Sequence, residues 1–124
     1  MRRLTRRALT GLLVATCLGS TSLRAQPQGT PGIVRTTLFE NEHTQVIRVS
    51  FAPGAREQSH THPNDILIIQ DTPGTLDISI ADKVTSGPAE HGKVTLVPKG
   101  VSHWAANTGR QPLDVIVVHL RDTK

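Results

Sequence analysis

The sequence predicts an all-β domain, a sandwich or barrel of short strands, on three observations. Runs of five to eight residues rich in Ile, Val, Leu and Thr recur between residues 44 and 120. Turn residues, chiefly Pro and Gly, separate those runs. No segment of helical length beyond residue 26 repeats its apolar residues with a 3.6-residue period. Strands of that length at that spacing, with Gly/Pro punctuation, indicate a sandwich or a barrel.

The elements follow in chain order. Residues 1–25 read as a secretory signal peptide. Arg2, Arg3, Arg6 and Arg7 form a basic start, Ala8 to Leu18 is a short apolar run, and Leu23 and Ala25 occupy the two positions a signal peptidase reads. Cleavage is expected after Ala25. The apolar run is too short to span a bilayer core of ~30 Å. Thr5-Arg6-Arg7-Ala8-Leu9 also resembles a twin-arginine signal, and Cys17 reads as a passive part of the apolar run. The protein is therefore expected in the periplasm or outside the cell, with no membrane association after cleavage.

Residues 26–43 are a Pro/Gly-rich leader and a first strand, and residues 44–120 carry the main domain, with 121–124 as a tail. Thr44 to Phe51 alternates, placing Gln45, Ile47, Val49 and Phe51 on one face and Val46, Arg48 and Ser50 on the other. It stops at Pro53-Gly54. Asp65 to Gln70 contains Ile-Leu-Ile-Ile and stops before Pro73-Gly74. Thr75 to Ile80 alternates through Leu76, Ile78 and Ile80. Lys93 to Val97 ends at Pro98-Lys99-Gly100, and Leu113 to Leu120 is a long β-branched run.

Charge and size limit the function classes. Five of the 14 basic residues lie before residue 26, leaving nine against ten acidic ones, a net of −1. The basic balance of the whole chain thus belongs to the targeting segment, and nothing remains that argues for nucleic acid or an anionic membrane surface. Beyond Cys17 there is no cysteine, hence neither disulfide nor thiolate chemistry. With three aromatic residues, Phe39, Phe51 and Trp104, aliphatic side chains must fill the core. A domain of this size buries a modest share of its surface, so a homodimer formed through an edge of a sheet is expected.

His60 and His62 lie two apart, so in an extended segment both imidazoles leave the same face. As an isolated pair they read more readily as surface loop residues; His103 changes that weighing only if the fold brings it alongside. Among the others, Arg48 reads as solvent-facing, His91 as a loop residue, His119 as a structural strand histidine, and Trp104 as packed outside any cavity. Asn107 reads as a turn support.

Gly54, five residues, His60, one residue, His62 resembles the opening of the first cupin motif. Gly92, five residues, Pro98-Lys99-Gly100, two residues, His103, three residues, Asn107 resembles the second. The resemblance covers about residues 44–120. It implies a double-stranded β-helix, the jelly-roll barrel, and a divalent transition metal (Fe, Mn, Ni, Cu or Zn) on His60, His62 and His103. It also implies tight turns at Gly54, Gly92 and Gly100. The first motif ordinarily adds a glutamate a few residues after its second histidine; the corresponding positions here are Ile66 and Leu67, which cannot bind metal. Asp65 is one residue early and should face the other way. Three neutral imidazoles leave the full ionic charge on the metal and leave positions open for water, dioxygen or an anionic ligand. The function this implies is a metal-dependent enzyme on a small organic molecule, of oxygenase or isomerase/lyase type. The alternatives are a non-catalytic metal or small-ligand module and a vestigial structural barrel. A second titratable group beside the metal would favour the enzyme, and Glu57, Asp65 and His119 are the candidates.

Overall fold

The computed structural model describes residues 29–122; the predicted signal segment and its cleavage site lie outside them. The described residues form eight strands: β1 (Ile33–Glu40), β2 (Thr44–Phe51), β3 (Ile66–Gln70), β4 (Gly74–Ile80), β5 (Lys83–Ala89), β6 (Val94–Val97), β7 (His103–Asn107) and β8 (Leu113–Leu120). They make two antiparallel sheets, one of five strands in the order β1-β2-β8-β3-β6 and one of three in the order β5-β4-β7. The fold is the predicted all-β jelly-roll.

The core lies between the sheets because the alternation of β2, β3, β4 and β8 turns one set of side chains inward. Val49, Phe51, Ile66, Ile68, Leu76, Ile78, Leu113, Val115 and Val117 are all buried there. Arg48 is exposed on the opposite face of β2, as predicted. Gly54, Gly92 and Gly100 have φ of 78°, 82° and 72°, a left-handed conformation that glycine adopts without steric cost, so each turn the motifs require is present.

The periodicity of side chains gives no signal for β5. It contains Gly87-Pro88, which ordinarily break a strand. β5 is an edge strand, however, and an edge is where a sheet tolerates proline. Asn107 does more than support a turn. It is 1% exposed; its amide donates to the carbonyls of Phe51 and Gln111, and its Oδ1 accepts the Gly109 N–H. One side chain thereby ties the end of β2 to the β7–β8 connection.

Candidate metal centre

The segment after Gly54 runs alongside β7 and extends the three-stranded sheet. Ala55 and Glu57 exchange backbone hydrogen bonds with Asn107 and Ala105, and His60 and His103 exchange both N–H···O bonds at 3.0 Å. Isolated bridges join Arg56 to Ala106 and His60 to His103. From the first bridge to the second the chain advances four residues on one side and three on the other. This one-residue bulge decides which side chains enter the barrel. Glu57 and His60 are an odd number of residues apart, so in a regular strand they would point to opposite faces. The bulge turns both inward. His60 then faces His103 as a directly opposed pair, with ring centroids 4.4 Å apart. His62 follows two residues later, where its carbonyl accepts the Gly100 N–H at 2.9 Å. Its ring centroid is 4.9 Å from that of His60 and 5.0 Å from that of His103.

One ring nitrogen from each of His60, His62 and His103 lies within 4.8 Å of the other two. The outer nitrogens of two of these rings are committed. Nδ1 of His60 lies 2.8 Å from the Gln58 carbonyl and Nδ1 of His103 lies 3.1 Å from the Val101 carbonyl. A carbonyl only accepts, so each Nδ1 carries the hydrogen and each Nε2 keeps a free lone pair. An imidazole held by a backbone carbonyl in this way is the usual state of a metal-binding histidine. Burial also holds His62 in the neutral form, pushing its pKa down from 6.5 to about 4, with repulsion from His119, His60 and His103 adding to it. His103 is lowered by burial despite opposing effects of its Val101 bond and of Glu57. His62 and His103 can therefore accept a cation without first losing protons. The donor set fits a divalent transition metal.

The cavity around these rings has two parts. Its floor is aliphatic, formed by Ile47, Val49, Ile66, Ile68, Val115 and Val117. Its other end holds the three histidines with His119, Glu57 and Arg35. Its volume is about 50 Å³. A single water needs roughly 10–15 Å³ of such space, so the part of the cavity beside the rings is small. A larger recess of about 290 Å³ between the edges of β5 and β6 holds Lys83 and Lys93 but no histidine or carboxylate. The chemistry is concentrated in the smaller one.

Several sequence-based assignments change here. Ile66 is 2% exposed and lines the cavity, but Leu67 faces outward from β3, so only one of the two glutamate positions belongs to the site. Asp65 is not a ligand, as its place one residue early implied. Its Oδ1 accepts the Lys99 N–H at 2.8 Å and so braces the turn before β7. His119 is more than a structural histidine. In the β3–β8 register it stands directly beside Ile66, and its ring is 4.8 Å from that of His62. Burial lowers its pKa as well, with Arg121 contributing. Arg35 carries no signal in the sequence. It enters from β1 in register with Val49, and its Nη2 lies 2.6 Å from Glu57 Oε1. Glu57 Oε2 also accepts the Ala105 N–H at 3.2 Å, which makes it an anchor for Arg35. Trp104 lies outside the cavity, as expected, with the Arg56 guanidinium 3.8 Å above its ring.

Comparison with known proteins agrees with this geometry. Residues 47–119 match the family model described as "Cupin domain". The chain is similar to germin-like protein subfamily 2 member 1 of Arabidopsis thaliana, 36% identical over 72 residues, covering 56% of this chain and 33% of that protein. It is also similar to germin-like protein 1-1 of Oryza sativa subsp. japonica, 33% identical over 101 residues, covering 79% and 44%. The chain thus spans under half the length of these two relatives. Among solved structures, a cupin domain from Bordetella pertussis superposes with a TM-score of 0.65 at 22% identity, covering 77% of this chain and 99% of that one. Recombinant oxalate oxidase in complex with glycolate superposes with a TM-score of 0.63 at 22% identity, covering 78% and 53%. At such identities the solved structures show a shared fold. The matched span contains His60, His62, His103 and His119 within that fold, and the chain belongs to the cupin family.

Proposed function

We propose that this cupin is a metal-dependent enzyme acting on a small organic molecule of negative charge, with one divalent transition-metal ion held by His60, His62 and His103. The observation that carries this reading is the convergence of three imidazoles, two of them fixed by backbone carbonyls with Nε2 left free. When bound, the ion supplies a Lewis acid and, if redox-active, an exchange of electrons with dioxygen. The chain's own residues do the rest. The Arg35 guanidinium, oriented by Glu57, attracts an anionic group at the mouth of the cavity. The aliphatic side chains of Ile47, Val49, Ile66, Ile68, Val115 and Val117 favour a small occupant beside the rings. His119, neutral and beside His62, offers a nitrogen that can take up or return a proton. That second titratable group favours an enzyme over a passive binding module.

The test is metal content after reconstitution with iron, manganese, nickel, copper and zinc in turn. The wild type should retain about one ion per chain, and His103→Ala roughly a tenth of that or less, since two imidazoles remain. Equal content in the two proteins would remove His103 from the site. A wild type that retains none of the five metals would leave a vestigial barrel.

A further inference from the structure

In a packed β-sandwich the inward positions of a strand are ordinarily apolar. Along one side of this molecule they are not. The β4–β5 register sets Lys83 beside Ile80, Thr85 beside Ile78 and Gly87 beside Leu76, and directly opposed residues share a face. Leu76 and Ile78 belong to the core, so Lys83 and Thr85 face inward as well. On the other sheet Thr95 pairs with the buried Ile68, and Lys93 lies two residues earlier on the same face of the chain. β5 and β6 are edges of their sheets and do not pair with each other, so these side chains line the recess of about 290 Å³ instead of a packed core. That volume lies near the lower end of small-molecule sites, roughly 300–1,000 Å³. The recess shares no lining residue with the histidine cavity. Along β3, Gln70 in the recess is roughly 13 Å from Ile66 in the cavity.

Gln70 points to the occupant. It is 4% exposed, and its Oε1 accepts the Glu90 N–H at 2.6 Å. An N–H only donates, so the amide oxygen is fixed at that position and Nε2 at the other. Among the described residues nothing accepts a hydrogen bond from Nε2, yet no fully buried side-chain nitrogen or oxygen there lacks a partner. Nε2 therefore opens into the recess that Gln70 lines. Lys83 and Lys93 are exposed at its mouth, form no ion pair among the described residues, and meet no carboxylate in the lining. These three groups offer donors and no acceptor. Leu76, Ile78 and Ile80 make an apolar floor. We propose that the recess between β5 and β6 is a second binding site, for an amphipathic carboxylate. Its charged head would meet Lys83, Lys93 and Gln70 Nε2, and its apolar tail would lie on the floor. Holding no histidine or carboxylate, this site binds its occupant without acid–base chemistry.

Isothermal titration calorimetry of octanoate into the full chain should show one site per chain. Acetate, which lacks the tail, and octanol, which lacks the charge, should each bind about tenfold more weakly or worse. A Cβ at Gly87 would meet open space, so Gly87→Leu should fill the recess with the circular dichroism unchanged, and weaken octanoate about tenfold or more. Gln70→Glu keeps an acceptor for the Glu90 N–H but sets a negative charge in place of the donor, and Lys93→Glu reverses a charge at the mouth. Each should weaken octanoate about tenfold and leave octanol little changed. His103→Ala should bind octanoate as the wild type does, whether or not the metal centre is functional. Absence of binding at millimolar octanoate would overturn the proposal, as would an affinity indifferent to Gly87→Leu and Lys93→Glu. Loss of binding in His103→Ala would place the carboxylate at the histidines and overturn it too.

Discussion

Ile66 occupies the position where the family motif would set a glutamate, and its neighbour across the sheet is His119. An imidazole on β8 thus stands beside a place left apolar on β3. Ile66→Glu would put a carboxylate in a 2% exposed site. Without an ion that charge is buried and costs several kcal/mol; with one, it offsets the ion's charge. The variant should melt below the wild type when metal-free, gain more in melting temperature on adding metal, and retain the ion more tightly against a chelator. Paired melting curves with and without metal check this, and an equal gain in both proteins would place position 66 away from the ion. His60, His62 and His103 were legible because motif spacing is a local property of the chain. Arg35 and His119 were not. Their inward direction depends on register with strands far away in sequence, and no local pattern records it.

At the level of elements, the strands with strict alternation, such as β2 and β4, were readable from end to end. β5 was hidden by Gly87-Pro88. β7, His-Trp-Ala-Ala-Asn, was hidden because four of its five residues are buried, which leaves no polar face to alternate with. The bulge between Arg56 and His60 was also invisible, since it exists only relative to β7. Asn107 joins these elements. Asn107→Ala would remove the donor to two carbonyls and the acceptor of one N–H. Each buried group left unpaired costs about 1–3 kcal/mol, so a loss of roughly 2–4 kcal/mol is expected, after allowing for water entry. For a domain of this size that lowers the melting temperature by about 10 °C or more. Thermal denaturation checks it, and a shift below a few degrees would show that β2 and the β7–β8 connection hold together without this residue.

For the molecule as a whole, the first described strand begins at Ile33, so cleavage after Ala25 would leave every described strand intact. Export predicts that the protein recovered from its host begins at Gln26; intact Met1 on soluble cytosolic protein as the main species would exclude it. The order β1-β2-β8-β3-β6 also bears on how the protein is made. β8 is the last of the described strands but sits in the middle of the sheet, and both β2 and β3 pair with it. Until residue 120 has left the ribosome, β2 and β3 have no common partner, the cavity has no back wall, and His119 is absent. The β1–β2 and β4–β5 hairpins and the β4–β7 pairing need nothing from β8, but the larger sheet cannot be completed without it. Closure of the barrel therefore comes late and rests on distant pairings, of the kind that take milliseconds to seconds. A nascent chain caught before that step has no closed barrel and no complete set of cavity walls.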